Sequence, residues 1–221
     1  MAMRLIGPVY LIGGQDFNRI HLDWPANDAN VYLIDTGDTF LMVDCGCGES
    51  LPAILDNVER MDFEVRDISH LLLTHEHFPH AAAADAVQKM EVEVMASAEA
   101  ADAVREGDLR TAAFCYHHEF PACEGEIATL EDGQEIEVGA VTITAFALPG
   151  HSPGCMGYEM QADGVGGKRV VVGKEAPNGG YYVRGAVSSY VLIADAADVE
   201  VLRALLAPPK EAAEEAQEDR Q

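Results

Sequence analysis

Residues 68–80 read ISHLLLTHEHFPH, and the fold of the chain is decided here. The first six residues make a strand too apolar to face water, after which the chain turns through Thr74-His75-Glu76-His77-Phe78-Pro79-His80. The same grammar returns downstream, where a strand over residues 141–148 gives way to Pro149-Gly150-His151-Ser152-Pro153-Gly154. Four of the eight histidines fall at these two strand ends, where α/β folds place their chemistry. His75 and His77, two apart in a turn, can aim at one ion, since imidazole nitrogens hold Zn²⁺ at about 2.0–2.1 Å. His151, on a turn stiffened by proline and loosened by glycine, is the natural third ligand. His21, His70, His117 and His118 stand alone and read as solvated or hydrogen-bonded side chains.

Working outward, residues 4–12, 30–35 and 39–44 are short β-rich runs, the last two joined by the hairpin turn Thr36-Gly37-Asp38. Ser50 is placed to cap an amphipathic helix whose apolar face is Leu51, Ile54, Leu55, Val58 and Met61. A small-residue helix starts near Ala81, a strand spans 93–96, and Ser97 caps a further helix. From Ile127 the pattern reads as successive hairpins over 127–130, 136–138, 141–148, 156–161 and 168–172, with turns at Asp132-Gly133 and Gly139. A last amphipathic helix is expected over 196–206, ended by Pro208-Pro209. Alternating strand and helix periods predict a layered α/β (α+β) fold, with residues 1–207 as one domain. Residues 208–221 form an acidic tail without a large apolar side chain to dock, expected to be disordered.

The 221 residues carry 14 Lys+Arg against 38 Asp+Glu, a formal charge of −24. Such a surface disfavours nucleic acid and anionic membranes as partners. At 48% apolar and 24% charged the composition is that of a soluble globular protein, and it holds no apolar run long enough to span a bilayer. The opening MAMRLIGPVYLIGG is broken by Gly7, Pro8 and Gly13 and lacks a small-residue cleavage site, so it reads as a first strand in a cytoplasmic protein. Five irregularly spaced cysteines read as reduced, mostly buried thiols, and the Cys45/Cys47 pair lacks the spacing and the second pair of a zinc knuckle.

With these pieces in order the chain resembles the metallo-β-lactamase superfamily, from about residue 4 to about residue 206. The resemblance is carried by Asn30-Val31-Tyr32-Leu33-Ile34, by Leu41-Met42-Val43-Asp44-Cys45-Gly46, by Thr74-His75-Glu76-His77 with His80, by the strand over 135–138, by Gly150-His151-Ser152-Pro153-Gly154 and by Val170-Val171-Val172-Gly173. It implies a four-layer αββα sandwich with a metal site at the edge where two sheets meet. It further implies that His75, His77 and His151 hold a first ion and that His80 belongs to a second. Three departures stand out. The family's HxHxDH acid is replaced by Pro79, Lys174 follows the strand that normally delivers a bridging aspartate, and no histidine follows His151.

What remains is a site for one ion, zinc by expectation with iron or manganese as alternatives, held by three neutral ligands and able to activate water. Lys174 and His80 are the candidate catalytic residues. The Lys174 ammonium is positioned by the resemblance where the second ion would sit, and it reads either as a fixed positive charge, as a base or ligand if driven neutral, or as a solvated side chain. Glu76 and Glu175 flank the altered positions and either can turn in as a replacement ligand or base; Glu76 stands at the family's variable position, so a solvated side chain is expected there. Asp44 is expected to steady the site by hydrogen bonds rather than to bind metal. Three functions compete: a single-metal hydrolase acting on an ester, thioester or amide bond of a small molecule; a catalytically inactive module that binds a ligand or partner; and an oxygen-using iron enzyme, which would need the missing aspartate. The edge left after the helix over 196–206 makes a homodimer an expectation.

Overall fold

The computed structural model describes residues 3–14, 28–148, 150–161, 169–173 and 190–194. Seven strands form a first sheet: β1 (Met3–Ile6), β2 (Val9–Gly13), β3 (Val31–Asp35), β4 (Phe40–Val43), β5 (Ile68–Leu72), β6 (Glu93–Ser97) and β7 (Ile127–Leu130), in spatial order β1 to β7. Pairing is antiparallel from β1 to β4 and parallel from β4 to β7. A second, wholly antiparallel sheet is built from β8 (Glu135–Val138), β9 (Val141–Ala147), β10 (Met156–Gln161), β11 (Arg169–Gly173) and β12 (Tyr190–Ala194), in the order β12-β11-β10-β9-β8. Helices α1 (Leu51–Glu59), α2 (Phe78–Ala81), α3 (Ala84–Gln88) and α4 (Ala98–Glu106) complete the described elements, with 3₁₀ turns over Val65–Asp67, Leu109–Thr111 and Ala113–Tyr116.

The near-continuous apolar runs of β3 to β5 follow from a sheet buried on both faces. Along β3, Val31 and Leu33 enter the core shared with Ile54 and Val58 of α1 and with Ala100 and Val104 of α4. Their alternates Tyr32 and Ile34 enter a second core with Ile143, Ala145, Tyr158 and Met160 of the other sheet. A one-residue slip would exchange these two sets, so the register is tightly specified. The described layers are thus helices, sheet and sheet, as expected for the sandwich. The expected helix over 196–206 lies outside the described residues, as does the tail over 208–221.

Several local expectations are corrected. The single strand expected over 4–12 is a hairpin of β1 and β2, because Gly7 turns with a positive φ of 52° and Pro8 follows it. Ser50 occupies the N-cap of α1 but its hydroxyl caps nothing; its carbonyl accepts from the Ile54 amide at 2.9 Å instead. The helix expected near Ala81 is broken into α2 and α3. Residues 127–130 do not open a hairpin: β7 pairs parallel with β6, and the Asp132-Gly133 turn carries the chain across to the other sheet. The sequence reading also missed β12. In contrast, Ser97 does cap α4, accepting from the Ala100 amide at 3.1 Å.

Candidate metal centre

The histidines sit where the carboxyl ends of β4 and β5 meet the β9–β10 connection. Just past β4, Asp44 adopts a left-handed conformation (φ 61°), which aspartate tolerates better than most residues. That twist turns its fully buried carboxylate toward the loop after β5. There it accepts from the Thr74 amide at 2.8 Å, from the Thr74 hydroxyl at 2.8 Å and 3.0 Å, and from Nδ1 of His80 at 2.6 Å. The Cys45 amide donates to the His80 carbonyl at 2.8 Å, so both ends of the loop over 74–80 are tied to one segment.

This network sets the state of His75. The single hydroxyl hydrogen of Thr74 goes to Asp44, so the oxygen accepts from Nδ1 of His75, 3.1 Å away. Nε2 of His75 is then the nitrogen with the lone pair, which is how a partner behind an imidazole fixes its tautomer for metal binding.

His75 is fully buried, and His77 and His151 are half-buried beside it. One ligand nitrogen from each of the three lies within 4.8 Å of the others. Nε2 of His151 is 2.9 Å from Nδ1 of His77, and the three ring pairs have centroids 4.7–4.8 Å apart, edge to face. Tetrahedral coordination at about 2.0–2.1 Å requires nitrogens about 3.4 Å apart. The observed separations bracket that value, so small ring rotations suffice and the donor set fits one ion. Among the described residues no second group of three ligand types converges.

His80 lies beside the triad, its ring centroid 4.1 Å from that of His75, with Nδ1 committed to Asp44. Pro79, at the position of the family acid, stands in the first turn of α2, where a missing amide hydrogen costs nothing. Its carbonyl accepts from the Ala29 amide at 3.2 Å. Lys174 and Glu175 lie outside the described residues.

The turn bearing His151 is fastened by four contacts. Leu148 N donates to Cys155 O (2.8 Å), Met156 N to Thr74 O (2.8 Å), Ser97 Oγ to Gly154 O (2.9 Å) and Ser152 Oγ to Glu76 Oε2 (3.0 Å). The last corrects the expectation of a solvated Glu76, which is only 4% exposed. Burial pushes its carboxyl upward, and hydrogen bonds from its own backbone amide and then from Ser152 pull it back. The legible signal was Gly154: a Cβ there would stand 2.6 Å from Glu76 Oε2 and 2.9 Å from the Ala100 amide nitrogen, so the carboxylate and the start of α4 together fill the space a side chain would need.

Across the sheets, Tyr158 donates its hydroxyl to Leu73 O at 2.6 Å, and burial raises the phenol so that it stays a donor. Cys45, Cys47, Cys123 and Cys155 are buried free thiols and Cys115 is exposed. Cys45 and Cys47 are pushed up by burial, Cys47 to about 11. A groove of about 810 Å³, lined by Arg4, Tyr10, Asp35, Thr142 and Gln161 among others, opens at the start of β9 and the end of β10. It is at the opposite end of these strands from His151. No helix among the described residues is long and apolar enough to cross a membrane.

A sequence model of the metallo-beta-lactamase superfamily matches residues 24–166, which include all four histidines of the cluster. Among solved structures the chain is similar to a B3 metallo-beta-lactamase described as the first with an active-site glutamic acid. The two are 30% identical over 77% of this chain and 60% of that one, with a TM-score of 0.64. It is also similar to BJP-1, a subclass B3 metallo-beta-lactamase of Bradyrhizobium japonicum, at 25% identity over 79% of this chain and 61% of that one, TM-score 0.65. The HARLDQ-motif metallo-beta-lactamase of Cronobacter sakazakii shares the fold at 22% identity over 84% and 69% of the two chains, TM-score 0.66. The chain thus spans about 60% of the length of the first two.

Proposed function

The chain belongs to the metallo-beta-lactamase superfamily, and on that premise we propose that it is a metal-dependent hydrolase with a single ion held by His75, His77 and His151. The observation that carries this reading is the convergence of three imidazole nitrogens within 4.8 Å, one of them with its tautomer fixed by Thr74. Zinc suits three imidazoles, with iron and manganese as the alternatives. Such an ion supplies Lewis acidity and a nucleophile at neutral pH. The chain's own residues do the rest. Asp44 and Thr74 hold His75 in its ligand tautomer, and the Gly150-His151 turn brings the third imidazole in from the other sheet. The half-exposed flank formed by His77 and His151 is the side from which a substrate enters.

The substrate class is an ester, thioester or amide of a small molecule. A chain of charge −24 repels polyanions, so a neutral or weakly charged substrate fits best. Lys174 is the candidate for a fixed charge that stabilises an oxyanion, and His80 can offer only Nε2, its Nδ1 being held by Asp44. Elemental analysis of protein purified without chelator or affinity tag tests the centre. About one ion per chain is expected in the wild type and none in His151→Ala. Turnover of a small ester, thioester and amide panel follows, with Lys174→Ala expected to lose turnover at unchanged metal content. A second reading, a metal-retaining module without turnover, is favoured by Pro79, which has no proton to exchange. It prevails if the ion is present and no member of the panel is cleaved.

A further inference from the structure

We propose that Glu76 is a positioning residue: its buried carboxylate latches the turn carrying His151 onto the turn carrying His75 and His77. The inference rests on the single-metal reading above and deepens it by naming what brings the third ligand into place.

Two of the three ligands are local, separated by one residue. The third lies 76 residues from His75 and belongs to the opposite sheet, so the centre exists only while two turns from different sheets stay in register. Glu76 is the residue between the two local ligands, and its Oε2 accepts from Ser152, the residue next to the third. The pair therefore joins the two turns within one residue of every ligand.

Burial makes this contact informative. A carboxylate removed from water is costly unless its oxygens are matched, and an apolar side chain would fill the same space at lower cost. The charges facing Glu76 do not repay it: Arg110 attracts it and Glu99 repels it, and Arg110 is itself shared among Asp102, Glu106 and Asp108. The geometry around it is shaped to receive it. Gly154 leaves the space its oxygen occupies, and Ser97 holds the Gly154 carbonyl from the side of α4. Ser152 is 7% exposed, so water does not compete well for its hydroxyl. Cys155, whose Sγ is 3.3 Å from the Ser152 oxygen, closes the turn behind it.

A latch makes a different prediction from a charge. Glutamine keeps an acceptor oxygen for Ser152 and loses the charge; alanine loses both; Ser152→Ala removes the donor and leaves the carboxylate. Full-length protein stripped of metal is titrated with Zn²⁺ in competition with a chromophoric chelator. Glu76→Ala and Ser152→Ala should each weaken zinc binding about 10-fold, the lower end of the range for residues that orient metal ligands. The double variant should be no weaker than either single one, because both remove the same bond. Glu76→Gln should stay close to wild type. A glutamine variant as weak as the alanine variant, or an alanine variant as tight as wild type, overturns the latch.

A readout without metal separates this from the reading it rests on. Amide hydrogen exchange in the metal-free chain should be faster over residues 151–156 in Glu76→Ala and Ser152→Ala and unchanged in Glu76→Gln. If the wild type takes up no zinc, the single-metal reading fails, and exchange alone decides the latch: equal exchange in all variants overturns it.

Discussion

Asp44 carries the strongest stability prediction. Its carboxylate is fully buried and receives three donors, the Thr74 amide, the Thr74 hydroxyl and Nδ1 of His80, while its backbone sits at φ 61°. In Asp44→Ala the left-handed backbone alone costs about 1–2 kcal/mol for a residue with a Cβ and no side-chain polar group. The amide of Thr74 cannot turn away, and each buried donor left without an acceptor costs about 1–3 kcal/mol. Adding the backbone, that amide and one of the other two donors, the loss is roughly 3–8 kcal/mol, a large part of a typical 5–15 kcal/mol of stability. Asp44→Asn keeps one acceptor oxygen and the tolerance for the left-handed region, and His80 can answer the new amide group by changing tautomer, so about 1–2 kcal/mol is expected. Urea unfolding of the metal-free chain at fixed salt, with unchanged m-values, measures both. An alanine variant that loses less than about 1 kcal/mol would refute the claim that Asp44 holds the loop over 74–80. A zinc affinity in Asp44→Ala equal to wild type would refute the claim that the Asp44–Thr74 chain prepares His75, since about a 10-fold loss is expected when a ligand-orienting partner is removed.

The thiols and the net charge give two further tests. Only Cys115 among the five cysteines is exposed, so a thiol reagent at mildly alkaline pH should titrate one fast group per native chain, none in Cys115→Ser and five after denaturation; two fast groups in the native chain would contradict the burial of the others. Self-repulsion in a chain of charge −24 is screened when the Debye length falls from about 30 Å at 0.01 M to about 3 Å at 1 M salt. The melting temperature should therefore rise by at least about 2–4 °C in sodium chloride over that range, equivalent to about 1 kcal/mol for a chain this size, and a flat response would show that the acidic surface does not strain the fold.

The sheet that positions the site was legible because burial on both faces leaves the run Leu41-Met42-Val43 and the run Leu71-Leu72-Leu73 without polar interruption, and because Ser97 caps where serine should. Strand identity was legible where strand partnership was not. Residues 127–130 have the same alternation whether they turn back on their neighbour or run parallel to β6, and only the tertiary pairing distinguishes the two. The break at Gly7-Pro8 is spelled out in the residues, yet the apolar pattern continues on either side of it and masks the turn. For β12, YVLIA is an apolar run of strand length, but it follows a stretch with no periodicity to anchor it.

The site divides along the same line. The convergence of His75, His77 and His151 was legible because two share a turn and the third sits on a turn of unmistakable composition, so residue type and spacing suffice. The residues that hold them in place are not marked by spacing. Asp44 meets His80 across 36 residues, and Glu76 meets Ser152 across 76, each through a contact between elements that only the finished sandwich brings together. A carboxylate between two histidines looks the same in sequence whether it points to water or into the core, and its neighbour in space is what decides. Gly154 carried part of that decision, since a glycine at a turn without a positive φ is explained by what occupies its missing side chain, here the Glu76 carboxylate and Ala100 of α4. It follows that in this chain the clustered histidines are the readable part of the site, and that the proposed dependence of the centre on two buried carboxylates is tested by substitution at Asp44 and Glu76, apart from the histidines themselves.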